Sequence, residues 1–290
     1  MKKALFYIVF ILGVISVKAQ ETPKDSPQEI PKDTTKLWKN SGTFILLFNQ
    51  SAFNDSWQAG GTSSIAGNMA MNYDFKYKKE DVIWDTKLIV AYGLTKIKSA
   101  AKIAKTDDRL ELNSLWGKKA TGNWYYSVFF NFKSQMDVGY DKNNIELSHF
   151  FSPAYFQLGP GMLWKKDANL SINIAPITPK LIIVDSKYTA TGPSFGVLQG
   201  ETSRFELGAS ASVYYKLNVI TNVSIENRLN LYSNYLDNPQ NVDVDYQMNV
   251  VMKINRFMSA NIDLQTIYDD NAVQAVQVRE VFGIGINFGF

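Results

Sequence analysis

The C-terminal stretch, residues 277–290, alternates between two kinds of side chain. One set, from Val278 to Phe290, is apolar almost throughout, and the other, from Arg279 to Gly289, is small or polar. A period of two indicates a β-strand, because successive side chains point to opposite faces of a sheet. A soluble sandwich could use such a strand, but glycines on the inner face and a terminal aromatic residue favour a membrane barrel. The preceding chain is therefore expected to form a ribbon that curls round to meet this strand.

The same alternation recurs after Trp38 and divides the chain into about twelve segments, with the clearest late in the chain at 205–215, 219–231, 242–254 and 260–268. Each segment has roughly nine residues or more, which is enough to cross the hydrocarbon core of a membrane at a tilt. Helical periodicity is absent throughout. We predict an all-β fold, a transmembrane antiparallel up-and-down β-barrel of about 12 strands.

The connections alternate in length, as expected for a barrel with short periplasmic turns and longer extracellular loops. The longest connection, 177–203, contains the apolar run 181–184, which is expected either to extend a strand or to tuck into the lumen. The short connections are 78–81, 118–123, 165–168, 216–218 and 255–258, and the others are 49–64, 98–108, 138–153, 177–203, 235–241 and 269–276.

One face of the ribbon carries too many charges for a dry interior, so that face must be hydrated. Two arrangements satisfy this condition: a membrane barrel with a polar lumen, which we favour, or a soluble sheet whose apolar face packs on a partner. In the barrel these charges are candidates for a solute path, although pairs of opposite sign could also plug it. The lumen-facing candidates are Asp74, Lys76, Asp85, Lys87, Glu206, Glu226, Arg228, Asp243, Asp245, Lys253, Asp263 and Arg279.

The N-terminal residues predict export. A basic start, a short apolar run and small residues before Gln20 indicate a signal peptide, residues 1–19. Residues 20–39 are rich in Pro, Lys, Asp and Thr and predict a disordered lead, so the barrel domain is expected at 40–290. Removal of Lys2, Lys3 and Lys18 from the 30 basic residues leaves 27 against 27 acidic ones, so no nucleic-acid partner is expected. The chain has no cysteine, which excludes disulfides, Cys-ligated zinc and thiol catalysis.

Several motifs resemble a Bacteroidetes envelope family, domain of unknown function 3078, over most of the chain from Trp38 to Phe290. The resemblance implies an outer-membrane barrel and brings no assigned activity. A terminal Phe also resembles the ending of outer-membrane barrels, where it is read by the insertion machinery, so Phe288 and Phe290 are the expected insertion signal. The family motifs are the stretch from Asn49 to Gly61, Phe151-Ser152-Pro153-Ala154-Tyr155 with Leu158-Gly159, Ile174-Ala175-Pro176, Ile254-Asn255 and Ile267-Tyr268-Asp269-Asp270.

Three local features could carry chemistry. His149 is the only histidine and lies near Ser148 and Ser152 in the sequence. A Ser–His hydrolase of the outer-membrane phospholipase type places its serine two residues after the histidine, where this chain has Phe151. We therefore interpret His149 as a solvated loop residue. Three stretches of clustered side-chain oxygens, Asp107-Asp108, Asp237-Asn238 and Asp269-Asp270-Asn271, could bind Ca²⁺ but lack the spacing of a calcium loop, so no metal is expected. The remaining mouth candidates, which could either contact a ligand or anchor at the lipid interface, are Asn54, Trp57, Gly60 and Gly61.

These observations predict an integral outer-membrane protein whose partners are membrane lipid and the barrel-insertion machinery. The favoured function is a narrow channel or transporter for small solutes, without enzymatic activity or cofactor. The alternative is a closed structural or interaction barrel whose outer loops bind a partner. An outer-membrane lipid hydrolase is a remote third hypothesis. Unpaired charges along a water path would favour the channel, and charges paired across the lumen would favour the closed barrel.

Overall fold

The computed structural model describes residues 37–54, 61–100, 102–141 and 143–290. Its strands form a closed antiparallel barrel of twelve strands, in which each barrel strand pairs with its neighbours along the chain and the first pairs with the last. This confirms the predicted fold. The first strand begins at Trp38, two residues before the expected start of the barrel domain. The predicted signal peptide, 1–19, and the lead up to residue 36 lie outside the described residues.

The strands, numbered in chain order, include two short ones, β6 and β7, that form a separate hairpin between β5 and β8. The one described helix, α1, covers Ser186–Thr189. Among the described residues, no helix is long and apolar enough to cross a membrane. The strands are β1 Trp38–Ser51, β2 Ser64–Lys79, β3 Val82–Ile97, β4 Ala104–Thr121, β5 Trp124–Ser134, β6 Gly139–Tyr140, β7 Glu146–Ser148, β8 Ala154–Lys165, β9 Leu170–Ile183, β10 Ser203–Ile220, β11 Val223–Asn234, β12 Asp243–Lys253, β13 Met258–Asp269 and β14 Val273–Gly289.

The connections alternate in length around the barrel with one exception. The predicted longer loop at 269–276 is wrong, because β13 ends at Asp269 and β14 begins at Val273. The Asp269 side chain closes a tight turn by accepting a hydrogen bond from the Ala272 amide at 3.1 Å, and the alternation of small and apolar residues resumes at once. The end with short turns, which also holds both chain ends of the barrel, is called the turn end below, and the opposite end the loop end.

The apolar run at 181–184 extends β9 instead of forming a loop. Residues 180–183 pair with β8 on one side and β10 on the other. Because the side chains alternate, Leu181 points outward while Ile182 is buried and packs with Val184 and Val197 at the loop end. Pro176 and Pro179 interrupt the strand pattern in the sequence, because proline has no N–H to donate to a neighbouring strand. In the structure, the pairing of β9 shifts register on both sides, with β8 and with β10, and so accommodates the two prolines.

The outward faces form an apolar surface suited to lipid. Large apolar side chains such as Leu46, Met69, Leu158 and Phe282 are exposed there, with most of the charged strand residues on the other face. Aromatic rings gather near the turn end, where the centroids of Trp38 and Tyr77 lie 4.9 Å apart, as in the aromatic girdles of membrane barrels. The surface of the barrel is therefore the reverse of that of a soluble sheet protein, and a bilayer is the solvent that matches it.

The seam between β1 and β14 is the shortest pairing in the barrel. It contains the register pairs from Thr43↔Gly289 to Phe48↔Ile284, together with two backbone hydrogen bonds between Gly42 and Phe290. A Cβ at Gly285 would lie 1.8 Å from the carbonyl oxygen of Leu46, so a side chain there would force β14 and β1 apart at the seam.

Candidate functional site

All twelve predicted lumen candidates lie on the same face of the closed sheet. Residues that stand opposite each other in an antiparallel register share a face. The register runs from Asp74↔Lys87 and Lys76↔Asp85 through the neighbouring strands to Asp263 on β13 and Arg279 on β14. Contacts between strands on opposite sides of the barrel identify this face as the inner one.

A first ion-pair group crosses the lumen towards the turn end. Lys87 Nζ, on β3, lies 3.2 Å from Glu226 Oε1, on β11. Arg228 donates to the same carboxylate, and Tyr214 OH donates to its other oxygen at 3.3 Å. Lys165 pairs with Asp85 nearer the turns. Lys253 is exposed at the turn end of β12.

A second group lies further towards the loop end and joins two arginines to two aspartates. Arg109 Nε is 3.2 Å from Asp107 Oδ1, and Arg109 Nη2 is 3.5 Å from Asp263. Arg279 Nη1 is 3.1 Å from Asp107 Oδ2, and its Nη2 donates to Asp263. The four charges therefore form a closed ring between β4, β13 and β14, strands that do not all adjoin along the sheet.

A third contact, Lys133 with Asp245, links β5 to β12 across the lumen. The carboxylate of Asp245 also accepts a hydrogen bond from Gln265 Nε2 at 3.0 Å. The cross-strand neighbour of Lys133 is Glu111, which faces the lumen on β4. Lys133 thus pairs with Asp245 on the opposite wall of the lumen and not with Glu111 on the adjacent strand.

The most enclosed group surrounds Lys180 at the loop end. Its Nζ lies 3.1 Å from Glu206 Oε2, 3.1 Å from Asp243 Oδ2 and 3.6 Å from Asp269 Oδ2. Arg204 Nε is 2.8 Å from the second oxygen of Glu206, whose side chain is only 1% exposed. Three acidic side chains, from Glu206, Asp243 and Asp269, are thus gathered around one lysine.

The acidic loop pairs considered for Ca²⁺ bind protein donors. One carboxylate oxygen each from Asp243, Asp269 and Asp270 lies within 4.8 Å of the others, but the Lys180 ammonium occupies the position next to the first two. Asp237 pairs with Arg204 at 3.1 Å. Asp108 accepts hydrogen bonds from Lys105 and from the backbone amides of residues 136 and 137.

A cavity of about 360 Å³ opens into the lumen beside the arginine–aspartate ring, towards the loop end. Its walls come from β4, β5, β13 and β14, and the start of β8. It is lined by charges of both signs, with Lys105, Arg109, Lys133 and Arg279 facing Asp107, Asp108 and Glu111.

Several charges of the lumen were not predicted from the sequence. The alternation is weaker at 104–137, so Asp107, Arg109, Glu111 and Lys133 were not assigned a face, and Lys180 fell in a predicted loop. The register would have found the first four, because they stand in line with lumen residues of β3 and β5. Lys165 similarly ends β8 on the inner face.

Of the four mouth candidates, the structure describes two. Asn54 is exposed just past β1. Gly61 has a φ of +125°, a conformation that L side chains rarely adopt, and a Cβ there would lie 2.7 Å from the Phe53 ring. Without a side chain, Gly61 can lie against the Phe53 ring. The Phe53 amide donates a hydrogen bond to Ser63 Oγ at 2.9 Å. Trp57 and Gly60 lie outside the described residues.

Both ring nitrogens of His149 have partners. Nδ1 lies 2.7 Å from the Phe150 carbonyl and Nε2 lies 3.1 Å from Asp185 Oδ2. The hydroxyl of Ser152 instead accepts a hydrogen bond from the Asp185 amide at 2.8 Å. The serine–histidine contact that would support a hydrolase is therefore not formed among the described residues.

His149 belongs to a contact that joins two outer loops. Glu146, on β7, accepts hydrogen bonds from Lys187 Nζ at 2.8 Å and from Tyr188 OH at 2.6 Å. These bonds, that from Lys187 foremost, lower the pKa of Glu146 below its usual value. The pKa of Asp185 is lowered as well, chiefly by the hydrogen bond from the Lys187 amide and then by that from His149. The loops after β5 and β9 thus dock on each other through charged groups.

The comparison with protein families confirms the resemblance to domain of unknown function 3078 for one part of the chain, and it does not bear on the attribution to Bacteroidetes or on the motifs after residue 140. The family whose model matches is described as "Protein of unknown function (DUF3078)", and the match spans residues 48–140. The first motif, at residues 49–61, falls inside this stretch. No curated protein matches the sequence.

Several solved membrane barrels are similar to this chain in outline. The outer membrane channel COG4313 from Pseudomonas putida F1 is 9% identical, with 86% of this chain and 93% of that one covered and a TM-score of 0.39. The translocator domain of the autotransporter NalP from Neisseria meningitidis is 10% identical, with 87% of each chain covered and a TM-score of 0.39. The NanC porin is 9% identical, with 85% and 97% covered and a TM-score of 0.36. At this level of similarity, the function has to be argued from the lumen itself.

Proposed function

We propose that this barrel is a narrow outer-membrane channel or transporter for small polar solutes, closed in this conformation by ion pairs that cross its lumen. The observation that carries the proposal is the chemistry of the inner wall. Acidic and basic side chains extend from the turn end, at Lys165 and Asp85, to the loop end, at Lys180 and Asp243. A continuous series of charges gives a polar solute partners at every level.

The exposure of these charges supports a hydrated path. The side chains of Lys87, Glu226, Lys133 and Asp245 keep between 15% and 27% of their surface exposed. An ion pair in a dry core is no more stabilising than packed apolar residues, and often less. Apolar side chains would therefore fill a closed lumen at least as stably as these ion pairs. The number of charges favours a lumen that contains water.

A closed structural or interaction barrel is the second candidate. The transverse contacts of Lys87 with Glu226 and of Lys133 with Asp245 favour it, because they span the lumen. The docked loops at Glu146 and Lys187 also favour it, since they offer an ordered outer surface to a partner. In the channel, by contrast, the same pairs act as a gate that exchanges partners when a solute enters.

Single-channel conductance of the refolded protein in a planar bilayer separates the two. We expect brief openings in the wild type and longer ones in Asp245→Asn, because Lys133 loses its partner on the far wall. Neutralising Arg228 should shift the ion selectivity towards cations. Lys253→Gln, at the exposed turn end, is the control and should change little.

Folding has to be shown independently by heat-modifiable mobility in gels. A folded wild type and a folded Asp245→Asn that both stay silent would rule out the channel and support the closed barrel.

A further inference from the structure

The 360 Å³ cavity beside the arginine–aspartate ring contains a buried acidic group, Glu111, to which no described side chain donates a hydrogen bond, although Arg109 and Lys133 attract its charge from further away. Glu111 lines this cavity, and only 5% of its surface is exposed. Its cross-strand neighbour Lys133 is bonded to Asp245 across the lumen instead. Among the described residues, the Glu111 carboxylate makes neither a hydrogen bond nor an ion pair. A buried carboxylate is costly unless it is paired, so this one is suited to a cation that enters from the cavity.

The same cavity contains guanidinium donors that lack aligned acceptors. Arg109 Nε and Arg279 Nε and Nη1 are buried without a hydrogen-bond acceptor. Arg109 Nε and Arg279 Nη1 do lie 3.2 and 3.1 Å from Asp107, so charge is balanced there, but the N–H directions miss its oxygens. A carboxylate that displaced Asp107 from these guanidinium groups would accept charge-assisted hydrogen bonds from them.

The two features lie next to each other. Arg109 and Glu111 are two residues apart on one face of β4, which places their Cα atoms roughly 6.5 Å apart. Lys105, Lys133 and the two arginines would repel a simple cation, and Asp107, Asp108 and Glu111 would repel a simple anion. A ligand that carries both charges close together meets an opposite charge at each end.

We propose that this cavity binds a small zwitterion, an amino acid or a short peptide, with its ammonium group on Glu111 and its carboxylate on Arg109 and Arg279. The cavity volume is ample for such a solute. The inference rests on the proposed function, for which it names the class of solute. Since the bound carboxylate competes with Asp107 for the two arginines, the solute would also loosen the ring of ion pairs beside the cavity.

The test is isothermal titration calorimetry of the refolded protein with alanyl-alanine, and with acetate and methylammonium as probes that carry one charge each. We expect the dipeptide to bind at least tenfold more tightly than either single-charge probe. Glu111→Gln should weaken dipeptide binding at least tenfold. Glu280→Gln is the matched control, because Glu280 lies on the outward face of β14, and it should leave the affinity unchanged.

Equal affinity for the dipeptide and the single-charge probes, or unaltered dipeptide binding by folded Glu111→Gln, would overturn the inference. Bilayer recordings separate this outcome from failure of the channel. Conductance without dipeptide binding would refute the zwitterion site and leave the channel intact. Binding that depends on Glu111 in a protein that never conducts would support the site and refute the channel.

Discussion

Lys87 and Glu226 lie on β3 and β11, which have five strands between them in either direction around the barrel, and yet their charged atoms are 3.2 Å apart. Two side chains thus bridge the full width of the lumen. Such a contact blocks the path at this level for as long as it persists. Substitution of either residue by a neutral one would change the net charge of the lumen at this level.

The first prediction concerns this bridge. Glu226→Gln leaves Lys87 and Arg228 without their shared carboxylate, so the lumen gains one net positive charge. We expect channel selectivity to shift towards anions, measured as the reversal potential in a salt gradient. Adding Lys87→Met removes the extra charge and should restore the wild-type value. A double variant that stays as anion-selective as Glu226→Gln would show that Lys87 does not face the path.

The second prediction concerns the buried lysine at the loop end. Lys180→Met leaves Glu206, which is 1% exposed, beside two further carboxylates. Breaking such an enclosed group should lower the free energy of unfolding by about 3–5 kcal/mol. Urea unfolding of the folded barrel measures this. Lys165→Met is the control, because Lys165 and Asp85 are 26% and 29% exposed, and it should cost about 1 kcal/mol or less. Equal losses in the two variants would contradict the prediction.

The third prediction concerns the docked outer loops. The pKa values of Glu146 and Asp185 are lowered in the folded state. The ionised carboxylates therefore stabilise the docked loops at a pH above the pKa of an unperturbed carboxyl group. This stabilisation is lost as the pH falls through the folded-state pKa values. We expect proteolysis within the loops at 145–152 and 184–189 to accelerate as the pH falls below about 4. A protease active in acid, with mass spectrometry of the fragments, provides the measurement.

Glu146→Gln should bring fast cleavage at neutral pH as well, because it removes the charge that holds Lys187. Cleavage in the wild type that is equally fast at pH 7 and pH 3 would mean that these bonds do not hold the loops.

The fourth prediction concerns the seam. Gly285→Ala would place a Cβ 1.8 Å from the Leu46 carbonyl, in the pairing of β14 with β1. Separating the two strands should lower the free energy of unfolding by about 1–3 kcal/mol. It should also reduce the yield of folded barrel, measured by heat-modifiable mobility in gels. Gly67→Ala on β2 is the control, since a Cβ there has no atom within 4 Å. Normal folding of Gly285→Ala would show that the seam can shift.

The lumen candidates show how far the sequence pattern reaches. Asp74 and Lys76 alternate with aromatic residues in a regular strand, so their face could be assigned from sequence. Glu111 lies in β4, where the outward positions include Ser114 and Lys118, and Lys133 lies in β5, where the inward positions include Phe129. Lys180 follows two prolines in an irregular strand. For these residues, only the pairing with a neighbouring strand reveals the face. The tight turn at 270–272 was missed because one aspartate side chain closes it.

The sequence by itself determined that the chain is a two-faced ribbon of strands with a charged face and an apolar face, because alternation is a local property of extended backbone. It also determined the number of strands, since each turn interrupts the alternation. Which charges meet was decided only by the tertiary structure. Lys87 finds Glu226, and Lys133 passes Glu111 to reach Asp245, because closure of the barrel brings together strands that are distant along the chain. Coulombic attraction depends on distance in space, and alternation along the chain contains no information about which positions face each other across the lumen.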